Sequence, residues 1–378
     1  MAVQNEKPIL TERQSNIELL RIIAMLMIIA YHFVVHGANE VIPYTVTPER
    51  IWVNLFSMCG KMGVNLFVLI SGYLGISREF SFKKLFHIEG MQLFYSISLM
   101  IIFTVANHTF DVRGIGTSLF PTLFDEYWFV SSYIILYLLT PFINRFLRDV
   151  DRNTYRQLIL LEIILWSLIP FFTIRISTGM YFTQFLWMLV TYTIGAYIGL
   201  YHDDLSNKTV IIKFNINWIS VFWICIFIDA IYIIFTVLIG RWNPTFLYYS
   251  IYASYGSNSP IIIIGAIGIF LYFINIDMGS IKWINSLAAS SLPVYMLHEN
   301  KWFSSWFWRR AVSYSRMMSM PLIILYSLFL ILAIYILGHA VNQIRLLLCK
   351  IFSKQISILE RLVENAFKAV VRFSENIL

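Results

Sequence analysis

Only 13% of the 378 residues are charged against 58% that are hydrophobic, and this shortage of charge excludes a soluble enzyme of ordinary composition. Cysteine is equally sparse. Cys59, Cys225 and Cys349 stand alone, too scattered for a disulfide framework or a thiolate metal site. No His, Cys or carboxylate spacing suggests a metal either, and none is expected. Internal repeats, low-complexity runs and flexible linkers are lacking. The net charge of +7 is not gathered into a large basic patch, so nucleic acid is not the expected partner. The bases sit in short loops between apolar runs, where they anchor and orient a chain in a membrane. The first apolar run lacks a small-residue cleavage site and reads as an uncleaved anchor.

What the chain has in abundance is long apolar stretches and aromatic rings, 17% of all residues. Spans of membrane length are expected near 17–36, 52–74, 88–107, 127–146, 156–175, 182–201, 217–239, 259–276, 283–302 and 319–345. The fold class is therefore an all-α polytopic membrane protein of about ten transmembrane helices. Arg78, Lys83, Lys84, Arg145 and Arg148 fall on one side, and Arg50, Arg113, Arg175 and Arg241 on the other, sparser side. With the excess of bases inside, both termini are expected in the cytoplasm. Lys301, Arg309, Arg310 and Arg316 dissent as a cluster between spans nine and ten, which is either a local departure from this topology or a functional basic patch on the outer side. Residues 1–348 read as the membrane domain and 349–378 as a cytoplasmic amphipathic helix. There Ile356, Leu359, Leu362, Val363 and Phe367 recur at helical intervals between charges.

Chemistry inside such a bundle has to come from its few polar residues. Arg21 and His32 lie eleven residues apart in the first span, NIELLRIIAMLMIIAYHF. Eleven helical steps make three turns plus about 20°, placing both on one face about 16 Å apart along the axis. An imidazole in hydrocarbon is expected in its neutral form and can take a proton from a hydroxyl, or it can be a packed histidine bonded to a neighbouring helix. Arg21 can grip a phosphate or carboxylate, or act as an anchor paired with Glu18. His36 reads as interfacial and Lys61 as a snorkelling anchor. Ser71 and Gly72 end the second span beside Arg78, Lys83, Lys84 and His87, either as small residues for close helix packing or as a broken helix end next to phosphate-binding cations. His298 and Glu299 form a polar pair near the outer end of span nine. Trp306 and Arg309, in the loop KWFSSWFWRRAVSYSR, can hold a sugar and its diphosphate or form an interfacial belt. Tyr127 and Trp128 read as belt residues. Glu162 and Asp229 are buried acids that can pair with a cation or tune His32.

Four segments together, ELLRIIAMLMIIAYHF, GVNLFVLISGYLG, EYWFVSSYIILYLLTPFIN and SLPVYMLHE, resemble acyltransferase family 3, integral membrane O-acyltransferases. The similarity runs over roughly residues 15–345. The resemblance implies that Arg21 and His32 are the family's Arg-x10-His pair, with His32 essential, and that Ser71, Gly72 and Leu74 are its Ser-Gly-x-x-Leu element. Where many relatives carry Arg-x-x-Arg, this chain has Lys84 and His87, which keeps positive charge but not bidentate geometry. It further implies acetyl-CoA as acyl donor, its phosphates near Arg78, Lys83 and Lys84. The implied acceptor is a hydroxyl of a surface polysaccharide, peptidoglycan or glycolipid precursor, in the cell membrane; on the residues alone, His298 and Glu299 can orient that acceptor or assist His32. Two other classes stay open on the residues alone: a transporter or flippase of glycolipids using the same buried charges, and a structural subunit of a polysaccharide assembly.

Overall fold

The computed structural model describes residues 13–108, 111–174, 183–206 and 217–375. Residues 1–12 of the expected membrane domain, 376–378 of the expected tail, Arg175 and the side chain of Arg316 lie outside that description. All the regular secondary structure among the described residues is helical. Its main helices are α1 (Ser15–Phe33), α2 (Pro48–Ser57), α3 (Gly60–Gly75), α4 (Phe82–Asn107), α5 (Trp128–Asp149) and α6 (Arg152–Ile163). They continue with α7 (Gln184–Ser206), α8 (Trp218–Ile239), α9 (Pro260–Ile274), α10 (Ser291–Glu299), α11 (Lys301–Ser313), α12 (Met320–Ile351) and α13 (Ser353–Glu375).

Among the described residues, eight helical stretches are long and apolar enough to cross a membrane. They account for eight of the ten expected spans. The sixth expected span is α7, 23 residues long but less apolar, and it packs along α3. The ninth, 283–302, is broken into pieces, Lys282–Ala288, α10 and the start of α11. Asn300 explains the second break. Its backbone leaves the helical region at ψ 128° and its side chain accepts from the backbone N–H of Trp302 and Phe303, starting a new helix. The segment read as a basic aromatic loop is thus mostly helix α11.

Large apolar side chains such as Ile101, Val105, Trp223, Phe227, Leu325 and Phe329 point outward from α4, α8 and α12. In water such faces would be costly; in hydrocarbon they are the solvated surface. Polar side chains turn inward, where each needs a partner. Asn16 donates to the Phe273 carbonyl at 2.9 Å and Ser15 to Asn285 at 2.9 Å, fixing the start of α1. Asn65 receives the Trp187 indole N–H at 3.1 Å and donates to the Ser257 carbonyl at 2.8 Å, joining α3, α7 and the entry to α9. Arg50, expected in a solvent-side loop, is fully buried. It donates to Asn39 at 2.9 Å, to the Pro43 carbonyl at 3.2 Å and to the Ile42 carbonyl, stapling the turn between α1 and α2.

Close backbone approach organises the centre. A Cβ on Gly72 would lie 2.3 Å from the Tyr192 carbonyl oxygen, and one on Gly195 would lie 2.4 Å from that of Leu69. Gly195 and Gly199 form a small-xxx-small stripe on α7 against α3. Gly72 is therefore a packing residue; α3 continues to Gly75 without a break. The amphipathic helix begins at Ser353, after α12 ends at Ile351, and leaves Ile358, Leu359, Leu362 and Val363 exposed on one side.

Adding a methyl at Gly72 forces two backbones apart, which costs about 1–3 kcal/mol where overpacking is not relieved. Gly72→Ala is expected to lower the melting temperature of the detergent-purified protein by several degrees. Gly90→Ala, where a new Cβ meets nothing within 4 Å, should leave it unchanged or raise it. Equal melting temperatures for wild type and Gly72→Ala would contradict the close α3–α7 contact.

Candidate active site

His32 lies at the end of α1, where the helix widens into a π-turn, Val34–Ala38, before closing at Asn39–Val41. A π-turn inserts a residue and redirects the side chains around it. His36, one turn after His32, reaches the same acid. The Glu299 Oε2 atom lies 3.1 Å from His32 Nδ1 and 3.1 Å from His36 Nε2. His36 is thus a member of the cluster and not an interfacial residue.

The fourth member is His298. Its Nδ1 is 2.6 Å from the Val294 carbonyl, which can only accept, so His298 carries its proton on Nδ1 and presents a bare Nε2. That Nε2 is 2.9 Å from His32 Nδ1. His32 must then donate from Nδ1, with the Glu299 carboxylate beside the same N–H. The consequence is chemical: the second nitrogen of His32, Nε2, is left without a proton and can act as a base. Helix α10 is held for this purpose from both ends. Gly338 of α12 packs against Val294, where a Cβ would lie 2.7 Å from Cγ2, and the Trp308 indole donates to the His298 carbonyl at 3.3 Å. Asn300 donates to Tyr127 at 2.8 Å and to Glu126 at 3.1 Å. Tyr127, expected in an aromatic belt, is fully buried.

His32, His36 and Glu299 line a cavity of about 130 Å³ with Tyr31, Lys61 and Trp128. Lys61 was expected to snorkel outward. Its Nζ instead sits 4.7 Å from the Tyr31 ring centre and 5.9 Å from that of Trp128, inside a mostly apolar chamber. His32, His298 and Glu299 also bring ligand-type atoms within 4.8 Å of one another, a grouping that linear spacing does not reveal. Two of those atoms, His32 Nδ1 and His298 Nε2, are at hydrogen-bond distance, 2.9 Å.

At the other end of α1, Arg21 forms its expected pair with Glu18 at 2.7 Å. Around it lie two confluent cavities of about 330 and 520 Å³. Ser71, Arg78 and Lys84 line the first, and Ser71, Lys83, Lys84 and His87 the second, so the cations singled out in the sequence converge on Arg21. Lys84 is steadied by the Tyr133 hydroxyl at 3.3 Å and lies 4.4 Å from the Tyr137 ring centre. Gly72 does not line these cavities.

Other expectations are redistributed. Trp306 packs edge-on against Phe103 at 5.8 Å and Arg309 lies 3.7 Å from Glu40 at the exposed surface; neither lines the His32 cavity. Glu162 accepts from the Thr193 hydroxyl at 2.8 Å, and Asp229 is buried beside Ser254. Neither acid reaches His32. Sequence reasoning missed Tyr31, His36, Lys61, Trp128 and Tyr295 as cavity residues. The one available signal was that His36 follows His32 by a single turn.

Fold and site together define a polytopic membrane protein that encloses a histidine–carboxylate cluster on one side and a cluster of cations on the other. The chain belongs to acyltransferase family 3: the family's model, an acyltransferase domain, matches residues 14–339. Compared with the curated proteins and with the solved structures, the chain gave no match. It is a membrane acyltransferase.

The hydrogen-bond chain predicts a protonation pattern. In protein labelled with ¹⁵N-histidine, His32 Nδ1 is expected to resonate as a protonated nitrogen and Nε2 as an unprotonated one. His298→Leu should disturb that pattern, because it removes the acceptor. A proton found on His32 Nε2 in the wild type would contradict the assignment.

Proposed function

We propose that the protein transfers an acyl group, in the first instance acetyl, from acyl-CoA to a hydroxyl of a cell-surface polysaccharide, peptidoglycan or glycolipid precursor. The observation that carries this reading is that His32 lines a cavity while its Nδ1 is engaged by His298 and Glu299, which leaves Nε2 as the nitrogen for a base. The Arg21 end faces the cytoplasm, in keeping with the basic residues gathered there. Arg21, Arg78, Lys83 and Lys84 hold the donor's phosphates, and the thioester reaches toward His32. The cavities there fit such a donor: cations for phosphates, then apolar wall for its chain.

The step itself needs a base, a charge to support it and a partner for the developing oxyanion. His32 Nε2 takes the proton of the acceptor hydroxyl as its oxygen bonds to the acyl carbon. The carbon–sulfur bond then breaks and the thiolate recovers the proton from His32. While His32 carries two protons, the Glu299 carboxylate beside its Nδ1 stabilises the added charge. The Lys61 ammonium, facing the same cavity, stabilises the negative oxygen of the transfer step. Trp128 and Tyr31 offer flat faces to a sugar ring near the cavity wall.

Purified protein incubated with radiolabelled acetyl-CoA and membranes carrying lipid-linked glycans tests this directly. Wild type should transfer label, and His32→Ala, folded equally well, should lose about 10²–10⁴-fold of the rate. Glu299→Gln is expected to lower kcat with little change in KM for acetyl-CoA; Arg21→Ala should chiefly raise that KM. Label lodged covalently on His32 in the absence of acceptor would replace the base role by a relay. No transfer by any form, together with movement of unmodified glycolipid across the membrane, would overturn acyl transfer in favour of transport.

A further inference from the structure

The two sides of the site meet at one wall. Phe67 of α3, Phe129 of α5 and Leu292 of α10 line both the His32 cavity and the larger cavity around Arg21 and Lys84. These three come from helices far apart in sequence, and none carries a polar side-chain atom. Phe67 and Phe129 meet edge-on with ring centres 6.3 Å apart. Phe129 is stacked on Tyr133 of the cation-lined side at 6.3 Å and edges against Tyr295 of the His32 side at 6.0 Å. Tyr295 in turn lies 6.4 Å from the His32 ring. The wall therefore spans the gap between charge recognition and chemistry, with one ring in contact with each compartment.

Two physical constraints act at such a wall. A phosphate cannot cross it, since an unpaired anion among apolar groups is too costly. A thin, uncharged chain can, and the distance along α1 from Arg21 to His32 is about 16 Å, eleven residues of helical rise. Whatever the chain carries at its tip must pass between two rings and a leucine. Space beyond is small, about 130 Å³. An apolar constriction of this kind also excludes water and ions when empty.

We propose that Phe67, Phe129 and Leu292 form an apolar ring that admits the thioester-bearing arm of the donor and sets the upper size of the acyl group delivered to His32. This rests on the reading that the cation-lined cavity holds acyl-CoA. The ring is a specificity device and takes no part in the bond changes. It selects by volume: short acyl groups pass, long ones are held back on the cation-lined side.

The test compares acetyl-, butyryl- and octanoyl-CoA as donors with the full-length protein in nanodiscs, using glycan-bearing membranes as acceptor, and measures CoA binding separately. Wild type should favour acetyl-CoA. Leu292→Ala and Phe67→Ala should raise the octanoyl-to-acetyl ratio of kcat/KM by at least tenfold, with Phe67→Leu as a milder variant if alanine impairs folding. Leu292→Trp should reduce transfer of every acyl group about 100-fold while the Kd for CoA stays within about threefold. Unchanged donor ratios in well-folded ring variants, or full activity of Leu292→Trp, would overturn the ring. If wild type binds no CoA and uses no acyl donor, the donor assignment falls first and the ring with it, a result distinguishable by the binding measurement.

Discussion

The hydrogen bond from His32 Nδ1 to His298 Nε2 joins residues 266 positions apart, and the organisation of the bundle follows from the need to make it. A histidine in a lipid-embedded helix has no water to satisfy it, so its partner must come from another helix held at a fixed height. Helix α10 meets that demand only because it is short. Asn300 stops it after Glu299, Trp308 returns to bond its last turn, and Gly338 lets α12 lie close against it.

The same constraint separates charge into two compartments. Cations gather around Arg21, where Glu18, Tyr133 and Tyr137 partner some of them. The opposite compartment holds two imidazoles, one carboxylate and the lone ammonium of Lys61. Between them runs apolar packing. Low dielectric strengthens electrostatic effects in such places and leaves uncompensated charge expensive, so the ionisable groups that enter helix contacts, such as Arg50 and Glu162, are hydrogen-bonded there. Where polar side chains do enter the contacts, as with Asn65, Asn144 and Thr193, they are hydrogen-bonded across helices.

Much of this was legible in the sequence. The Arg21–His32 repeat angle, the Glu18 pair and the run of cations after the second span follow from helical periodicity and charge count, which need only local geometry. Ser71 was located correctly beside the cations, whereas Gly72, its neighbour, turned out to face α7, because adjacent helical residues point about 100° apart. His36 was read as interfacial because its acid partner, Glu299, lies 263 residues away in the chain, although its spacing of one turn from His32 was visible. Lys61 and Trp128 were read as interface anchors because sequence shows depth in the membrane but not which side of a helix meets a cavity. Trp306 and Arg309 looked like a binding loop for the same reason; α11 carries them away from His32.

By itself, then, the sequence determined that the chain is a helical membrane protein, that an imidazole and a guanidinium share one face of its first span, and that further cations flank the second. These are properties of composition and of residues within a few turns of one another. Only the tertiary structure decided which nitrogen of His32 is free, that Glu299 and His298 are its partners, and that two rings and a leucine divide the site. Each of those depends on contacts between helices distant in the chain, set by glycine-mediated close packing and by the requirement that every buried polar group find a partner.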